Sequence, residues 1–223
     1  AHSGEIGRWA SLLGHPVSVL GPLSANGQLK ADSSGELSVQ GEIQYRESRL
    51  KLNGTLGQLP QPKLPSLDFD LSTPDASKLA AISQIRGLPV AVFTAKGHLA
   101  RQNGGIQFTS VVGSLAKNQF EFSGFLSSGS QLTGSKFELQ AKVPSTSALG
   151  LLFGYKDLPD ESLQMNATIT PVGQGVDFTL GEGRLGEMQL ALQGHIADVH
   201  KPELFTADGK IELPSLELLQ IVA

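Results

Sequence analysis

The chain of 223 residues has no cysteine. That excludes disulfides, thiol nucleophiles and Cys-ligated zinc, and it suits a bacterial cytoplasm and a periplasm equally well. Aromatic residues are also scarce, at 6% of the chain within an apolar fraction of 39%, so there is little bulk for a compact centre. Neither sign of charge dominates: 17 Lys and Arg face 21 Asp and Glu, for a net charge of −4. The signs are interspersed, with no basic stripe for nucleic acid and none for docking onto an anionic membrane. No run of about 18 apolar residues is present, so no transmembrane helix is expected. The opening Ala1-His2-Ser3-Gly4 carries no signal-peptide apolar region. The expectation is therefore a cytosolic protein, or one whose targeting and anchoring parts lie outside this sequence. Glycine (26) and proline (12) are plentiful. Many turns and little bulk suit an elongated sheet better than a ball.

The strongest pattern is an internal repeat with a period of about 70 residues. Pro74, Pro144 and Pro214 form one series, and Gly54, Gly124 and Gly194 a second. Gly35, Gly105 and Gly175 form a third, and Gly27 and Gly97, with Ala167 in the last copy, a fourth. Apolar positions keep the same frame: Leu52, Phe122 and Leu192; Leu56, Leu126 and Ile196; Leu29, Leu99 and Ile169; and Trp9, Leu79, Leu149 and Leu219. The expected organisation is one elongated repeat domain over 1–223, with copies at 4–72, 73–142 and 143–212. Residues 213–223 would start a further copy.

Each copy predicts the same series of elements. Ser66 to Leu71 and Lys136 to Ala141 alternate apolar and polar residues, the period of a strand with one wet face. A helix-start signal follows: Ser72-Thr73-Pro74-Asp75, with Thr73 as cap and Pro74 at the first helical position. Val143-Pro144-Ser145 and Leu213-Pro214-Ser215 repeat it. Short helices are expected near 74–84, 144–153 and 214–222, and Trp9, Leu12 and Leu13 suggest that the chain begins in another. Leu88-Pro89 and Leu158-Pro159 are expected to open a second strand, with Pro22 as their counterpart. Turns at Asn103-Gly104-Gly105 and at 172–175 lead to a third strand near 106–112 or 176–182. A fourth strand places Phe120, Phe122, Gly124 and Leu126 on one face, matched by Leu190, Leu192, Gly194 and Ile196 and by Leu50, Leu52, Gly54 and Leu56. The fold class is thus mainly β: a twisted, curled antiparallel sheet of repeats with one short helix per repeat. The in-strand glycines mark a bend, a bulge or a close approach, and they suggest that the sheet curls there into an apolar groove. An ordinary core, with the apolar face packed on helices or on a facing sheet, explains the same pattern.

Catalytic and cofactor signals are weak. Gly181-Glu182-Gly183-Arg184-Leu185-Gly186 fits the dinucleotide spacing G-x-G-x-x-G, but the residues after it, Met188 to Leu192, alternate as a strand. A hairpin fits better than a phosphate-binding helix start. His195 and His200 with Asp198 between them read as a solvated loop, not as a ligand set. Asp68 and Asp70, two apart, belong to the wet face of a strand. No serine stands in G-x-S-x-G, and no Ser-His-acid grouping recurs. The reading is of no enzyme, no cofactor and no metal.

Leu67-Asp68-Phe69-Asp70-Leu71-Ser72-Thr73-Pro74-Asp75-Ala76-Ser77-Lys78-Leu79, followed by Leu88-Pro89 and the glycine-spaced strands to Gly124, resembles the AsmA-like family. These are envelope proteins of Gram-negative bacteria related to bridge-like lipid transfer proteins, and the likeness runs through every copy. The resemblance implies a periplasmic apolar groove, tethered to the inner membrane by an N-terminal helix that this sequence lacks. It also implies a part in phospholipid traffic and outer-membrane biogenesis, with phospholipid acyl chains as partners. A continuous apolar strip suits an acyl chain. The strip candidates are Leu67, Phe69, Leu71, Phe120, Phe122 and Leu126, then Phe137, Leu139, Leu163, Met165, Val176, Phe178, Leu190, Leu192 and Ile196. Alternative expectations are an assembly scaffold that grips envelope proteins through its strand edges, or a secretion-system component.

Overall fold

The computed structural model describes residues 23–58, 65–79, 87–102, 104–128, 132–198 and 205–213. Twelve strands follow one another as antiparallel neighbours in chain order, in a sheet that is not closed into a barrel. They are β1 (Leu23–Ala31), β2 (Glu36–Tyr45), β3 (Ser48–Gln58), β4 (Ser66–Thr73), β5 (Phe93–Gln102) and β6 (Gly105–Leu115). After them come β7 (Asn118–Ser127), β8 (Lys136–Val143), β9 (Leu163–Val172), β10 (Gly175–Leu185), β11 (Met188–Ile196) and β12 (Phe205–Glu212). A 3-10 turn (Ala76–Leu79) follows β4, and a helix, α1 (Thr146–Leu152), follows β8. The protein is therefore mainly β. Two compact units can be distinguished: residues 1–100 with 113–116, and 101–112 with 117–223.

Alternation makes the strands. Along β8, Lys136, Glu138, Gln140 and Lys142 are exposed, while Phe137, Leu139 and Ala141 are half-buried and Val143 is buried. Successive side chains of a strand point to opposite faces, so this sequence separates water from carbon without further help. Tight hairpins join β2 to β3, β6 to β7 and β10 to β11. Arg46, Ala116 and Gly186 open the turns after β2, β6 and β10 at φ of 54°, 52° and 57°.

In the first unit the ladder aligns residues in rows. Leu29, Val39, Gly54, Leu67 and Leu99 stand opposite one another across β1 to β5, and so do Ala25, Ile43, Leu50, Leu71 and Ala95. In the second unit, Phe122, Leu139, Ala167, Leu180, Leu192 and Gly209 make one row. Gly124, Phe137, Ile169, Phe178, Gly194 and Ala207 make the next. A bulge in β10 between Leu180 and Gly183 keeps both of these residues in phase with the apolar face. Certain pairs recur at the spacing of the sequence pattern: Leu52 with Phe69, Phe122 with Leu139, and Leu192 with Gly209. The loop bonds Ala76 N–H to Ala91 C=O and Thr146 N–H to Glu161 C=O are spaced in the same way, each 2.8 Å.

The helical segments differ from expectation in their caps. Of the first, the described residues show a 3-10 turn over Ala76–Leu79, residues 80–84 of the expected 74–84 lying outside them, and the second is α-helical only over Thr146–Leu152. Neither Thr73 nor a proline starts them. Asp75 Oδ1 accepts from Ser77 N–H at 3.0 Å, and Ser145 Oγ accepts from Ala148 N–H at 3.0 Å. Pro74 and Pro144 each stand just before these caps, holding the chain extended as it leaves the strand. Thr73 is instead buried and takes a 2.9 Å hydrogen bond from Ser48 Oγ. Leu88-Pro89 and Leu158-Pro159 also precede their strands without opening them, since β5 begins at Phe93 and β9 at Leu163. Proline offers no N–H to a ladder, and here it lies in the return from the helical segment. Trp9, Leu12, Leu13, Pro22 and the helix expected over 214–222 lie outside the described residues.

Candidate functional site

The feature that sets this molecule apart is an apolar sheet face that is only partly covered. The apolar side chains that are buried among the described residues are Leu37, Tyr45, Ala76, Ala95, Val111, Val143, Leu180 and Met188. Tyr45, Val143 and Met188 stand at strand ends, and Val143 is three residues before α1. Elsewhere the apolar face is intermediate. Leu67, Phe69 and Leu71 in the first unit are all half-buried. So are Phe120, Phe122, Leu126, Phe137, Leu139, Leu163, Met165, Val176, Phe178, Leu190, Leu192 and Ile196 in the second. Within each unit, register and alternation place these residues on one face. Phe108 joins them, with its ring centroid 5.8 Å from that of Phe122, which in turn stacks on Phe120 at 6.4 Å. Phe108 was absent from the expected strip although it stands one full period before Phe178; that spacing was the signal for it.

The in-strand glycines have a local cause. A Cβ on Gly54 would lie 2.1 Å from the Ser66 carbonyl oxygen. The same distance is 2.3 Å from Gly124 to Lys136 and 2.3 Å from Gly194 to Thr206. The neighbouring strand's backbone occupies the place of the side chain. On the apolar face the vacated area is taken by rings: Phe137 Cδ1 would stand 2.7 Å from a Cβ on Gly124, and Phe178 Cζ 2.7 Å from one on Gly194. Gly105 and Gly175 behave alike, each with a carbonyl oxygen 2.1 Å from the missing Cβ. Gly35 does not share their role. It sits in a turn at φ 79° with nothing within 4 Å, because the β1–β2 connection has an Asp32-centred turn in place of the tighter hairpin.

The opposite face is polar and wet. Across β2 to β5 it places Glu42, Lys51, Asp70 and Lys96 in one row, so opposite charges face each other at every step. Arg49 pairs with Glu42 at 3.0 Å, and Lys78 with Glu47 at 2.9 Å. The hydrogen bond to Glu47 raises the Lys78 ammonium above its ordinary value. The Ser145 and Ser147 hydroxyls, both bonded to Asp160, hold its carboxyl below the usual range.

This face also contains a grouping that the sequence reading missed. His98 Nδ1 is 2.9 Å from Asp68 Oδ1, and His98 Nε2 is 3.1 Å from Ser66 Oγ. The order of contacts is that of a Ser-His-Asp relay. The setting is different: the Asp68 side chain is 68% exposed and that of His98 39%, so water competes for every bond. His195 similarly bonds Asp177, at 2.7 Å. His195 was expected in a solvated loop with His200 but lies within β11, and His200 lies outside the described residues. Among the described residues no group of three or more His, Asp or Glu is placed to hold a metal ion. Gly181 to Gly186 form the bulge and the start of the hairpin turn between β10 and β11, so their amides do not face a helix axis. Among the described residues no helix is long and apolar enough to cross a membrane. No family model, curated protein or solved structure matches the chain.

Proposed function

We propose that this chain is a non-enzymatic segment of a lipid-binding, lipid-conducting β-groove, built from copies of a unit of about 70 residues. Each unit contributes a stretch of apolar wall to a path along which acyl chains move. The observation that carries this reading is the half-burial of the whole candidate strip. A finished core hides its apolar side chains, whereas these keep part of their surface available to a further apolar body. Each methylene of an acyl chain laid against such a wall gains about 0.8 kcal/mol on leaving water. A wall without specific polar contacts holds the chain without fixing it at one place. The recurrence of strand pairs and loop bonds at a constant spacing supports the repeat, since each copy then presents equivalent positions in the same register. The resemblance to AsmA-like proteins supports a location in the periplasm of a Gram-negative envelope, with an inner-membrane anchor elsewhere in the full-length protein. Its role there is phospholipid transport and outer-membrane homeostasis.

The test is native mass spectrometry of protein purified from a Gram-negative host. It is combined with photo-crosslinking from benzoylphenylalanine placed at Phe122 and Leu139. The expected result is co-purifying phospholipid and acyl adducts at both positions, reduced by a Phe122→Asp substitution that leaves the circular dichroism unchanged. Absence of lipid together with absence of acyl adducts would sink the proposal. A second reading, a scaffold for envelope or secretion-system proteins, is favoured by β1 and β12, the first and last strands of the sheet order. Protein adducts from those strands, with none from the apolar face, would select it.

A further inference from the structure

The apolar face is not the same in every copy. On β6 and β7 it carries a run of rings: Phe108 packs on Phe122 with centroids 5.8 Å apart, and Phe122 stacks on Phe120 at 6.4 Å. Phe137, opposite Gly124 in β8, lays its ring over the bare backbone beside them. One period earlier the places of Phe120, Phe122 and Phe137 are held by Leu50, Leu52 and Leu67, and one period later by Leu190, Leu192 and Ala207. Three of the four rings therefore occur in this copy alone, and they fall together on adjacent strands. The surroundings restrict what such a cluster can hold. The three rows that start at Phe120, Phe122 and Gly124 in β7 cross β8 and reach β9 without meeting one charged or hydrogen-bond-donating side chain. The backbone groups of these strands are committed to the ladder. An extended peptide laid there would leave its own N–H and C=O groups unpaired, whereas a hydrocarbon chain has none to lose.

We propose that Phe108, Phe120 and Phe122 are a holding point for an acyl chain, the place on this sheet where a bound lipid tail dwells longest. The proposal rests on the lipid-groove reading and adds to it that the wall is graded. A phenyl ring offers a large rigid face and has only two torsions to restrict, so a chain lying on it gains contact at little ordering cost. All three rings are half-buried, and each keeps part of its surface for such a contact. Packed at 5.8 and 6.4 Å they act as one surface, and a tail that moves on must give up all three. The leucines at the same places in the neighbouring copies offer separate, smaller contacts and release the tail sooner. Movement past the middle copy is then the slow step, and the two rings of β7 set its rate.

The test exchanges residues between copies. Vesicles of phosphatidylethanolamine and phosphatidylglycerol, doped with a phosphatidylethanolamine that carries a diazirine within one acyl chain, are incubated with the protein and irradiated. Adducts are counted by peptide mass spectrometry at Leu139 and Phe69, which stand opposite Phe122 and Leu52. In the wild type Leu139 is expected to exceed Phe69 by about two- to tenfold, the span that aromatic contacts of ordinary strength give. Phe120→Leu with Phe122→Leu gives the middle copy the residues of the first and should lower that ratio by the same factor. Leu50→Phe with Leu52→Phe should raise the adducts at Phe69. Leu139 and Phe69 are unchanged in every variant, so the label's own preference cancels between proteins. Each substitution introduces a residue that the sheet already holds one period away, and the circular dichroism should stay that of the wild type. Adducts in an unchanged ratio in all three proteins would overturn the holding point and leave the lipid-groove reading standing. No adduct at either residue would overturn both.

Discussion

Gly124 tests whether the in-strand glycines are dictated by the neighbouring strand. An alanine there would place its Cβ 2.3 Å from the Lys136 carbonyl oxygen and 2.7 Å from Phe137 Cα, with the backbone at φ 158°. Both obstacles are backbone atoms, so relief requires β7 and β8 to separate. Overpacking of this kind costs about 1–3 kcal/mol, and a sparsely populated, glycine-favouring φ adds about 1–3 kcal/mol, for a total of about 2–6 kcal/mol. Two other glycines separate these contributions. Gly104 has φ 84° but nothing within 4 Å of a Cβ, so Gly104→Ala should cost only the conformational part, about 1–2 kcal/mol. Gly181 has neither a positive φ nor a neighbour within 4 Å. Gly181→Ala should therefore be neutral, or stabilising by about 0.4–1 kcal/mol through the unfolded chain. Urea unfolding of the three variants followed by far-ultraviolet circular dichroism gives the comparison. The expected order of stability is Gly181→Ala, then Gly104→Ala, then Gly124→Ala. If Gly124→Ala unfolds at the same urea concentration as Gly104→Ala, the close approach of the strands is not what excludes a side chain there.

Two other sites give sharper chemical readouts. Asp160 is held below the ordinary carboxylate range first by Ser145 and then by Ser147. Its stabilising contribution is thus present above the unfolded carboxyl value and is lost as pH falls through the lower folded one. Ser147→Ala should move the Asp160 titration, followed by carbon-detected NMR, upward towards the ordinary value; an unmoved midpoint would refute the assignment. Ser66 should remain unlabelled by a fluorophosphonate probe, because His98 and Asp68 are too well hydrated to raise its nucleophilicity. Covalent modification of Ser66 that is lost in His98→Gln would instead reveal a working hydrolase site.

The strands were legible because their physics is local. Alternation in Lys136 to Ala141 or Leu163 to Ile169 follows from side chains that must choose between water and carbon, and each choice is written at its own position. The hairpin reading of Gly181 to Gly186 rested on the same local signal. What depends on distant alignment was not legible. Ser66 meets His98 only because the return between β4 and β5 sets the register, and no pattern within either strand states that number. The helix caps were misassigned for a related reason. Thr73 and Asp75 are both competent to cap; Thr73 accepts from Ser48 Oγ, on another strand, and from Asp75 N–H, and it is Asp75 that accepts from Ser77 N–H at the start of the 3-10 turn. The glycines of the fourth strand were legible as a constraint but not as its cause, which is a carbonyl oxygen from the next strand.

The strictly sequential order of the sheet has a kinetic consequence. Each strand pairs with those immediately before and after it in the chain, so the longest loops to be closed are the returns over 74–92 and 144–162, even though the sheet has many strands. β structure folds slowly when distant segments must meet, and here none has to. The chain can zip hairpin by hairpin as it is synthesised, each new strand finding its template already laid down. During that growth the newest strand is always unpaired on one side. The species most exposed to mispairing is therefore the partly made chain, and it is protected by the speed with which the next strand arrives.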